Sequence, residues 1–438
     1  MIDPLKQDRL RLISWPWLIA LVLVFILGTV LVMVNGWQAH ARAWLNLIVR
    51  WFHLIYGVAW IGASFYFIFL ENALERTNIR EELSGNIWSI HGGGIYYLEK
   101  YKTAPKSFPP YLHWFKWDAY FTWVTGFLLL IIVYYSNPQA ILLKPGLSLA
   151  PWLAVIIALV SLVLAWVVYV ALSRTVLLNK PRLFLLVGLV IIAITALLLS
   201  QIFSGRGAFI HIGAMLGTIM AGNVFFVIIP SQKALVSAAQ KGESLDPTFV
   251  SWVQLRSRHN NYITLPVLFT MISNHFPMTY SHSLNWFVLF LLFIAGVAVR
   301  HSINVTEKEH HRTLVKGGAL PHLLIAAAVI AVAALYITAP KAKTSNAKGD
   351  QVSFASVQSV MNKHCLVCHA ESPTQAGFSA APAGIMFDHP ETIQAQAAKI
   401  QQVAVDSEYM PLGNLTGMTP EERQLLGAWI AQGAHLDH

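Results

Sequence analysis

Nine runs of apolar residues constrain this 438-residue chain more than any other feature. A helix needs roughly 20 residues to cross a hydrocarbon core of about 30 Å. We predict spans at residues 15–34, 43–70, 115–135, 152–172, 183–203, 207–229, 262–273, 284–299 and 319–337. The seventh run is short and contains Pro266, so its helix is expected to begin earlier, near Val250. Only 12% of the residues are charged, about half the share in soluble domains, which excludes a mainly soluble protein.

The lysines and arginines between the runs set the orientation of the chain. Nineteen of them fall in segments on the side of the N-terminus, against four on the opposite side. Cytoplasmic loops carry such an excess, so we predict a cytoplasmic N-terminus and, after nine spans, a C-terminus outside the membrane. The net charge of +9 therefore reports topology. We expect a lipid bilayer as the surrounding partner and no nucleic acid.

A pattern for covalent haem attachment follows the last run. Residues 341–350 are polar and form a predicted linker, and residues 351–438 suit one small soluble domain. This domain contains Cys365-Leu-Val-Cys368-His369, and C-x-x-C-H is the attachment pattern of c-type haem. A redox dithiol and a zinc site are the alternatives. Zinc needs four ligands and the chain has only these two cysteines, whereas a thioredoxin-like site needs a βαβ context.

Two methionines could supply the second axial ligand that a c-type haem iron takes opposite its histidine. Met410 lies in the loop Tyr-Met-Pro-Leu-Gly-Asn, 41 residues after His369. Met418 immediately precedes a helix start, where Thr419 and Glu422 have the spacing of a capping box. We therefore predict His369 and Met410 as the iron ligands and assign Met418 to packing or to the surface.

Ionisable residues inside membrane spans are costly, so each one is a functional candidate. His53 on the second span and His211 on the sixth both lie towards the outer side. Facing helices of a bundle can hold a cofactor, so this pair could ligate a second haem, of b type. The alternative is that each ring is hydrogen-bonded to a serine, a threonine or a backbone carbonyl.

A polar stretch enters the seventh span between Gln254 and Tyr262. Its candidate catalytic residues are Arg256, Arg258, His259, Asn260 and Asn261. Arginine offers a planar fork for anions, and asparagine can read donors and acceptors, so a flat anionic heterocycle would suit this stretch. The alternative is a cluster of inner-face charges, which explains the arginines easily and the asparagines poorly.

A third motif, His-Gly-Gly-Gly-Ile-Tyr-Tyr at residues 91–97, lies in the long inner loop 72–113. Consecutive glycines permit close approach of the backbone to a ligand or tight packing of helices. The motif matches no nucleotide-binding pattern.

Four stretches of the chain resemble one known family. They are RSRHNNYITLPVLFTMISNHFP at residues 256–277, WFHLIYGVAWIG at 51–62, WVTGFL at 123–128 and the motif at 91–97. They resemble the bacterial membrane-bound urate oxidase (urate hydroxylase) family, whose members often join a multi-span domain to a C-terminal cytochrome c. The resemblance implies oxidation of urate to 5-hydroxyisourate in purine catabolism. It further implies that the haem passes electrons to a periplasmic cytochrome c or a terminal oxidase.

The combined prediction is an all-α chain in a bacterial inner membrane. It has a multi-span bundle at residues 1–340, a linker at 341–350 and a periplasmic class I cytochrome c domain at 351–438. In the membrane domain, His259 would deprotonate urate while Arg256 or Arg258 holds the anion. Two other functions stay open: a non-catalytic membrane-anchored electron carrier, and a transporter with a cytochrome appendage, for which a span interrupted by Pro266 is the main support.

Overall fold

A computed structural model of the chain describes residues 38–102, 104–105, 107–175, 180–243, 247–308, 318–338, 351–375, 378 and 380–436. The predicted first span at 15–34 and the predicted linker at 341–350 lie outside these residues. The chain is mostly helical and divides into two compact units, which are treated in turn below.

Eleven helices precede the C-terminal segment in the described part of the chain. They are α1 Gln38–Ala73, α2 Trp117–Leu129, α3 Pro138–Ile141, α4 Pro151–Leu172, α5 Pro181–Ile202, α6 Gly205–Gly222, α7 Ile229–Lys241, α8 Pro247–Ile272, α9 Pro277–Tyr280, α10 Asn285–Lys308 and α11 Ala319–Thr338. A π-helical segment, Leu130–Tyr135, continues α2, and a second one, Asn223–Ile228, joins α6 to α7. Such segments are rare and are frequent at functional sites.

Seven helical stretches in the described residues are long and apolar enough to cross a membrane. They correspond to α1, α2 with its π-helical segment, α4, α5, α6 through α7, α10 and α11. The remaining described run is α8, which begins at Pro247 and passes through Pro266 without a break. Its early start agrees with the sequence prediction, and it brings the polar stretch 254–262 into the helix.

The long loop between α1 and α2 corrects the all-α prediction, because part of it forms a β-hairpin. Strand β1, Leu83–His91, pairs antiparallel with β2, Gly94–Tyr101. Gly92 and Gly93 make the turn with φ of 58° and 80°, the left-handed region that two-residue hairpin turns require and that glycine adopts without strain. The glycines of the 91–97 motif therefore serve a turn, and neither a ligand nor helix packing is needed to explain them.

The first unit comprises the described residues of 1–126, 223–258 and 307–310. The hairpin rests on the end of α1, where Ile87 is buried against Leu70 and Ala73. A second small core joins Ala119 of α2 to Val224 and Ile229.

The second unit comprises the described residues of 127–222, 259–306 and 311–438. Its helices approach closely at small residues, as membrane helices commonly do. Gly213 of α6 lies against Thr270 of α8, and Gly296 of α10 lies against Pro266.

The C-terminal segment adds four helices around one apolar core. They are α12 Phe354–His364, α13 Pro390–Ala395, α14 Ala397–Ile400 and α15 Pro420–Ala431. Met361 of α12 is buried against Leu426 and Trp429 of α15. The predicted capping box is present, with the Thr419 side chain accepting from the Glu422 N–H and the Glu422 carboxylate accepting from the Thr419 N–H.

Candidate functional site

The C-x-x-C-H residues lie at the end of α12. Cys365 caps the helix with its N–H on the carbonyl of Met361 (2.8 Å), and the His369 N–H donates to the carbonyl of Cys365 (2.8 Å). The Nδ1 atom of His369 lies 2.9 Å from the carbonyl oxygen of Ile385. A histidine held in this way through one ring nitrogen presents the other to a metal. The Nδ1 contact of His369 is thus compatible with its predicted role as an iron ligand.

The two thiols of this motif do not resemble a redox pair. Burial raises the pKa of Cys365 to about 12 and also raises the pKa of Cys368. Redox-active and metal-reactive cysteines have a lowered pKa. Among the residues that the structure describes, no three His, Cys, Asp or Glu side chains group to hold a metal ion.

Met410 and Met418 have different surroundings. Met418 is buried in the domain core at 4% exposure, whereas Met410 is half-buried and packs at the edge of that core, as Cys365 does. The Met410 carbonyl accepts from Nη1 of Arg423 at 2.6 Å, so the loop that carries it is tied to α15. Cys365, Cys368, His369 and Met410 thus fit a covalent c-type haem by their chemistry, and this assignment stays a prediction.

His53 and His211, the two histidines predicted to lie towards the outer side, each have partners in their own unit. Nδ1 of His53 lies 3.0 Å from the Thr122 carbonyl and 3.1 Å from the Thr125 hydroxyl. His211 is fully buried, with Nδ1 2.7 Å from the Gly207 carbonyl and Nε2 3.0 Å from the Tyr135 hydroxyl. His211 could ligate iron through Nε2 only if Tyr135 moved away. A b-type haem on this pair stays a prediction.

Arg256 and Arg258 occupy different environments on α8. Arg256 is buried at 1% exposure, its Nη1 donates to Asn223 Oδ1 at 3.4 Å, and its guanidinium lies 4.8 Å from the ring centre of Trp252. Arg258 is exposed. Asn223 begins the second π-helical segment. The sequence analysis did not identify Asn223 as a partner of the predicted site residue Arg256.

His259 and Asn260 face different helices in the second unit. Nδ1 of His259 lies 2.9 Å from the hydroxyl of Tyr169 on α4, and its ring stacks on Phe184 of α5 with centroids 5.0 Å apart. Asn260 Nδ2 donates to the carbonyl of Met220 on α6 at 3.0 Å. The structure therefore does not bring the five predicted residues into one constellation, because consecutive positions on a helix point in different directions.

Asn261 belongs to a buried polar cluster with two residues of α10. Its Oδ1 accepts from Nε of Arg300 at 3.0 Å and from Nδ2 of Asn304 at 2.9 Å. Asn261 is fully buried, Arg300 is 1% exposed and Asn304 is 7% exposed. We call Asn261, Arg300 and Asn304 the Arg300 cluster. It places a cation and two amides inside the helices, which is costly in a membrane and makes the cluster a candidate functional site.

Arg300 is one of the nineteen lysines and arginines that the sequence analysis counts on the side of the N-terminus, and Asn304 is not among the predicted site residues. The signal that could have found them is the spacing Arg300-x-x-x-Asn304, which puts both side chains on one face of a helix. Titratable groups adjoin the cluster along both helices: the Tyr262 hydroxyl lies 2.7 Å from Nδ1 of His301, and His301 meets His322 with ring centroids 4.4 Å apart.

Comparison with known proteins gave one result. The family model described as "Urate oxidase N-terminal" matches residues 39–337. No curated protein and no solved structure matches the chain. The matched range includes α1 through α11 and the Arg300 cluster, and it ends before the C-x-x-C-H motif.

Proposed function

Because the chain belongs to the urate oxidase N-terminal family, we propose that it is a membrane-bound oxidoreductase that converts urate to 5-hydroxyisourate. Electrons leave through a covalent c-type haem in the C-terminal domain and reach the respiratory chain of a bacterial inner membrane through a periplasmic cytochrome c or a terminal oxidase. The observation that carries this proposal is the combination of two features. One is a family match over residues 39–337, and the other is a His369 ring fixed through Nδ1 beside two cysteines.

The Arg300 cluster is the part of the membrane domain that best suits the substrate. Urate is a flat monoanion at neutral pH, with carbonyl oxygens and N–H groups around its edge. The guanidinium of Arg300 supplies charge and planar donors, and the amides of Asn261 and Asn304 supply donors and acceptors at adjacent points. Arg300 is 1% exposed, so urate binding requires α8 and α10 to separate locally.

The electron count determines the source of the new oxygen atom. Urate and water together give 5-hydroxyisourate, two electrons and two protons. If dioxygen were the oxidant it would itself take up the two electrons, and none would leave through the C-terminal domain. A path through the haem therefore requires water as the oxygen donor.

Residues of this chain bind the anion and remove its proton. Arg300 contributes to the rate only if it stabilises the transition state more than bound urate. His259 stays the predicted base; its ring lies at Tyr169 and Phe184, whereas Asn261 of the Arg300 cluster contacts α10. The buried Arg256, whose guanidinium donates to Asn223, and the exposed Arg258 both stay predicted substrate residues. When bound at Cys365 and Cys368, the haem supplies one-electron oxidation.

The direct test is urate-driven reduction of the haem. The full-length protein is purified in detergent, oxidised and kept free of oxygen, and its c-type absorbance is followed after addition of urate, xanthine or allantoin. Reduction by urate alone is the expected result. If urate leaves the haem oxidised in protein that dithionite still reduces, the proposal fails, and an electron carrier or a transporter is the better assignment.

A further inference from the structure

The segment that carries Met410 is held from two directions within the second unit. On one side, Nη1 of Arg423 in α15 donates to the carbonyls of Met410 and Ala404. On the other side, the hydroxyl of Tyr409 accepts from Nη1 of Arg206 at 3.1 Å. Arg206 lies in the first turn of α6, so this bond joins a membrane helix to the residue just before the predicted iron ligand.

Arg206 is itself fixed by the helix ends around it. Its Nε donates to Asn274 Oδ1 at 3.0 Å, and the same oxygen accepts from the Tyr134 hydroxyl at 2.9 Å. The guanidinium lies 5.6 Å from the ring centre of Tyr134. A guanidinium with donors in a rigid plane can hold two partners at a fixed angle. Arg206 therefore links Tyr409 to Asn274 with one side chain.

Two further contacts accompany this hydrogen bond. The rings of Tyr280 and Tyr409 meet edge to face with centroids 5.7 Å apart. Gly413, three residues after Met410, lies so close to Ala140 that a Cβ atom there would be 2.8 Å from the Ala140 carbonyl oxygen. The loop is thus in contact with neighbouring helices at Tyr409 and at Gly413.

Tyr134 leads from this contact into the membrane part. It lies in the π-helical segment Leu130–Tyr135, and its ring meets that of His211 with centroids 5.9 Å apart. Arg206 is also one of the four lysines and arginines that the sequence analysis counts on the predicted outer side of the spans, where the positive-inside rule disfavours them. A cation kept at this point has a reason other than topology.

We propose that Arg206 is a positioning residue that holds the Tyr409–Met410 segment on the outer end of the helices, and so fixes the methionine side of the haem site relative to Tyr134 and His211. Electron transfer weakens steeply with distance, so the exchange of electrons between the two parts of the chain depends on this bond. That functional consequence rests on the proposed function, whereas the contact itself does not.

The test uses Arg206→Gln, Arg206→Lys, Tyr409→Phe and the double variant Arg206→Gln/Tyr409→Phe in the full-length protein. Lys144→Gln is the matched control, because Lys144 is an exposed cation of the same outer side and bonds Gln201. The first readout is amide hydrogen exchange of residues 408–414, which needs no substrate. The second is the rate at which urate reduces the haem, with the haem spectrum and potential recorded beside it.

Arg206→Gln is expected to raise exchange at 408–414 by about tenfold, the size expected for one lost hydrogen bond to a charged group. The double variant should exchange no faster than the single ones, because both changes remove the same bond. Urate-driven reduction should slow in parallel, Arg206→Lys should recover part of it, and Lys144→Gln should match the wild type.

Unchanged exchange in Arg206→Gln and Tyr409→Phe would overturn the proposal, because neither side chain would then hold the loop. Slower exchange in these variants would overturn it as well. If exchange rises as expected but urate never reduces the wild-type haem, the proposed function fails and the positioning contact stands.

Discussion

At the scale of single residues, burial separates side chains that the sequence places side by side. Arg256 and Arg258 are two positions apart on α8, yet the first is buried at 1% exposure and the second is exposed. Arg300 is buried just as deeply, and its Nε is bonded to Asn261. Inside a membrane such burial is costly, and so Arg300 is the residue on which substrate binding is expected to depend most.

Arg300→Gln should abolish urate-driven haem reduction or raise the urate concentration for half-maximal rate at least about tenfold. The reason is that a hydrogen bond to a charged group contributes about 1.5–3 kcal/mol of binding free energy. The measurement is the initial rate of haem reduction against urate concentration. Arg182→Gln, which removes an exposed arginine from the first turn of α5, is the control and should behave as the wild type. Normal kinetics in Arg300→Gln would remove the Arg300 cluster from the substrate site.

At the scale of elements, close helix contacts make α6 sensitive at one glycine and tolerant at another. A Cβ atom at Gly213 would overlap Oγ1 of Thr270, whereas one at Gly217 meets nothing within 4 Å. Gly213→Ala should therefore destabilise the protein by about 1–3 kcal/mol, the usual cost of overpacking. Gly217→Ala should be neutral or slightly stabilising, because alanine favours a helix over glycine.

These two variants are compared by the temperature at which half of the detergent-purified protein stays monodisperse after heating. A lowered midpoint for Gly213→Ala alone is expected. Equal midpoints would mean that α6 and α8 are not packed as closely as the structure has them.

The cap of α15 gives the C-terminal domain a defined response to acid. The Glu422 carboxylate accepts from Lys363 and the Thr419 N–H and lies 3.0 Å from Nε2 of His364, and these partners lower the pKa of Glu422 to about 2. Because the pKa of Glu422 is lower in the folded protein, its ionised carboxylate stabilises the fold fully at pH values above the ordinary carboxyl pKa of about 4.3. This stabilisation is lost as the pH falls through about 2.

Glu422→Ala should cost about 1 kcal/mol near pH 7, a typical value for a helix cap, and the difference from wild type should shrink between about pH 4 and pH 2. The difference is measured at each pH by urea unfolding of the full-length protein, with the haem absorbance as the signal and the midpoint urea concentration as the readout. Glu421→Ala, which removes the exposed neighbouring carboxylate, should show a smaller difference. A Glu422→Ala effect that stays constant down to pH 2 would contradict the assigned pKa.

The sequence predicts features that depend on local contacts and misses those that depend on tertiary ones. The α15 capping box and the early start of α8 are confirmed, because both follow from residues close together in the chain. The all-α prediction was wrong at the hairpin of β1 and β2. The consecutive glycines there indicate a turn, whereas the sequence analysis interprets them as allowing ligand approach or helix packing. The pairing of Asn261 with Arg300 spans 39 positions, and no local pattern could supply it.

At the scale of the whole molecule, a family assignment is combined with a proposed electron path. The family match covers residues 39–337, the Arg300 cluster lies within that range, and the predicted haem-binding residues follow it. The central claim is that urate is oxidised in the membrane part with water as the oxygen donor and that the electrons leave through the C-terminal domain.

The most direct test is a single turnover in ¹⁸O-labelled water without dioxygen. Mass spectrometry measures the ¹⁸O content of the product, and the haem absorbance is recorded in the same sample. The account predicts labelled 5-hydroxyisourate and two haems reduced for each urate consumed. Unlabelled product, or consumption of urate only when dioxygen is admitted and the haem stays oxidised, would contradict it.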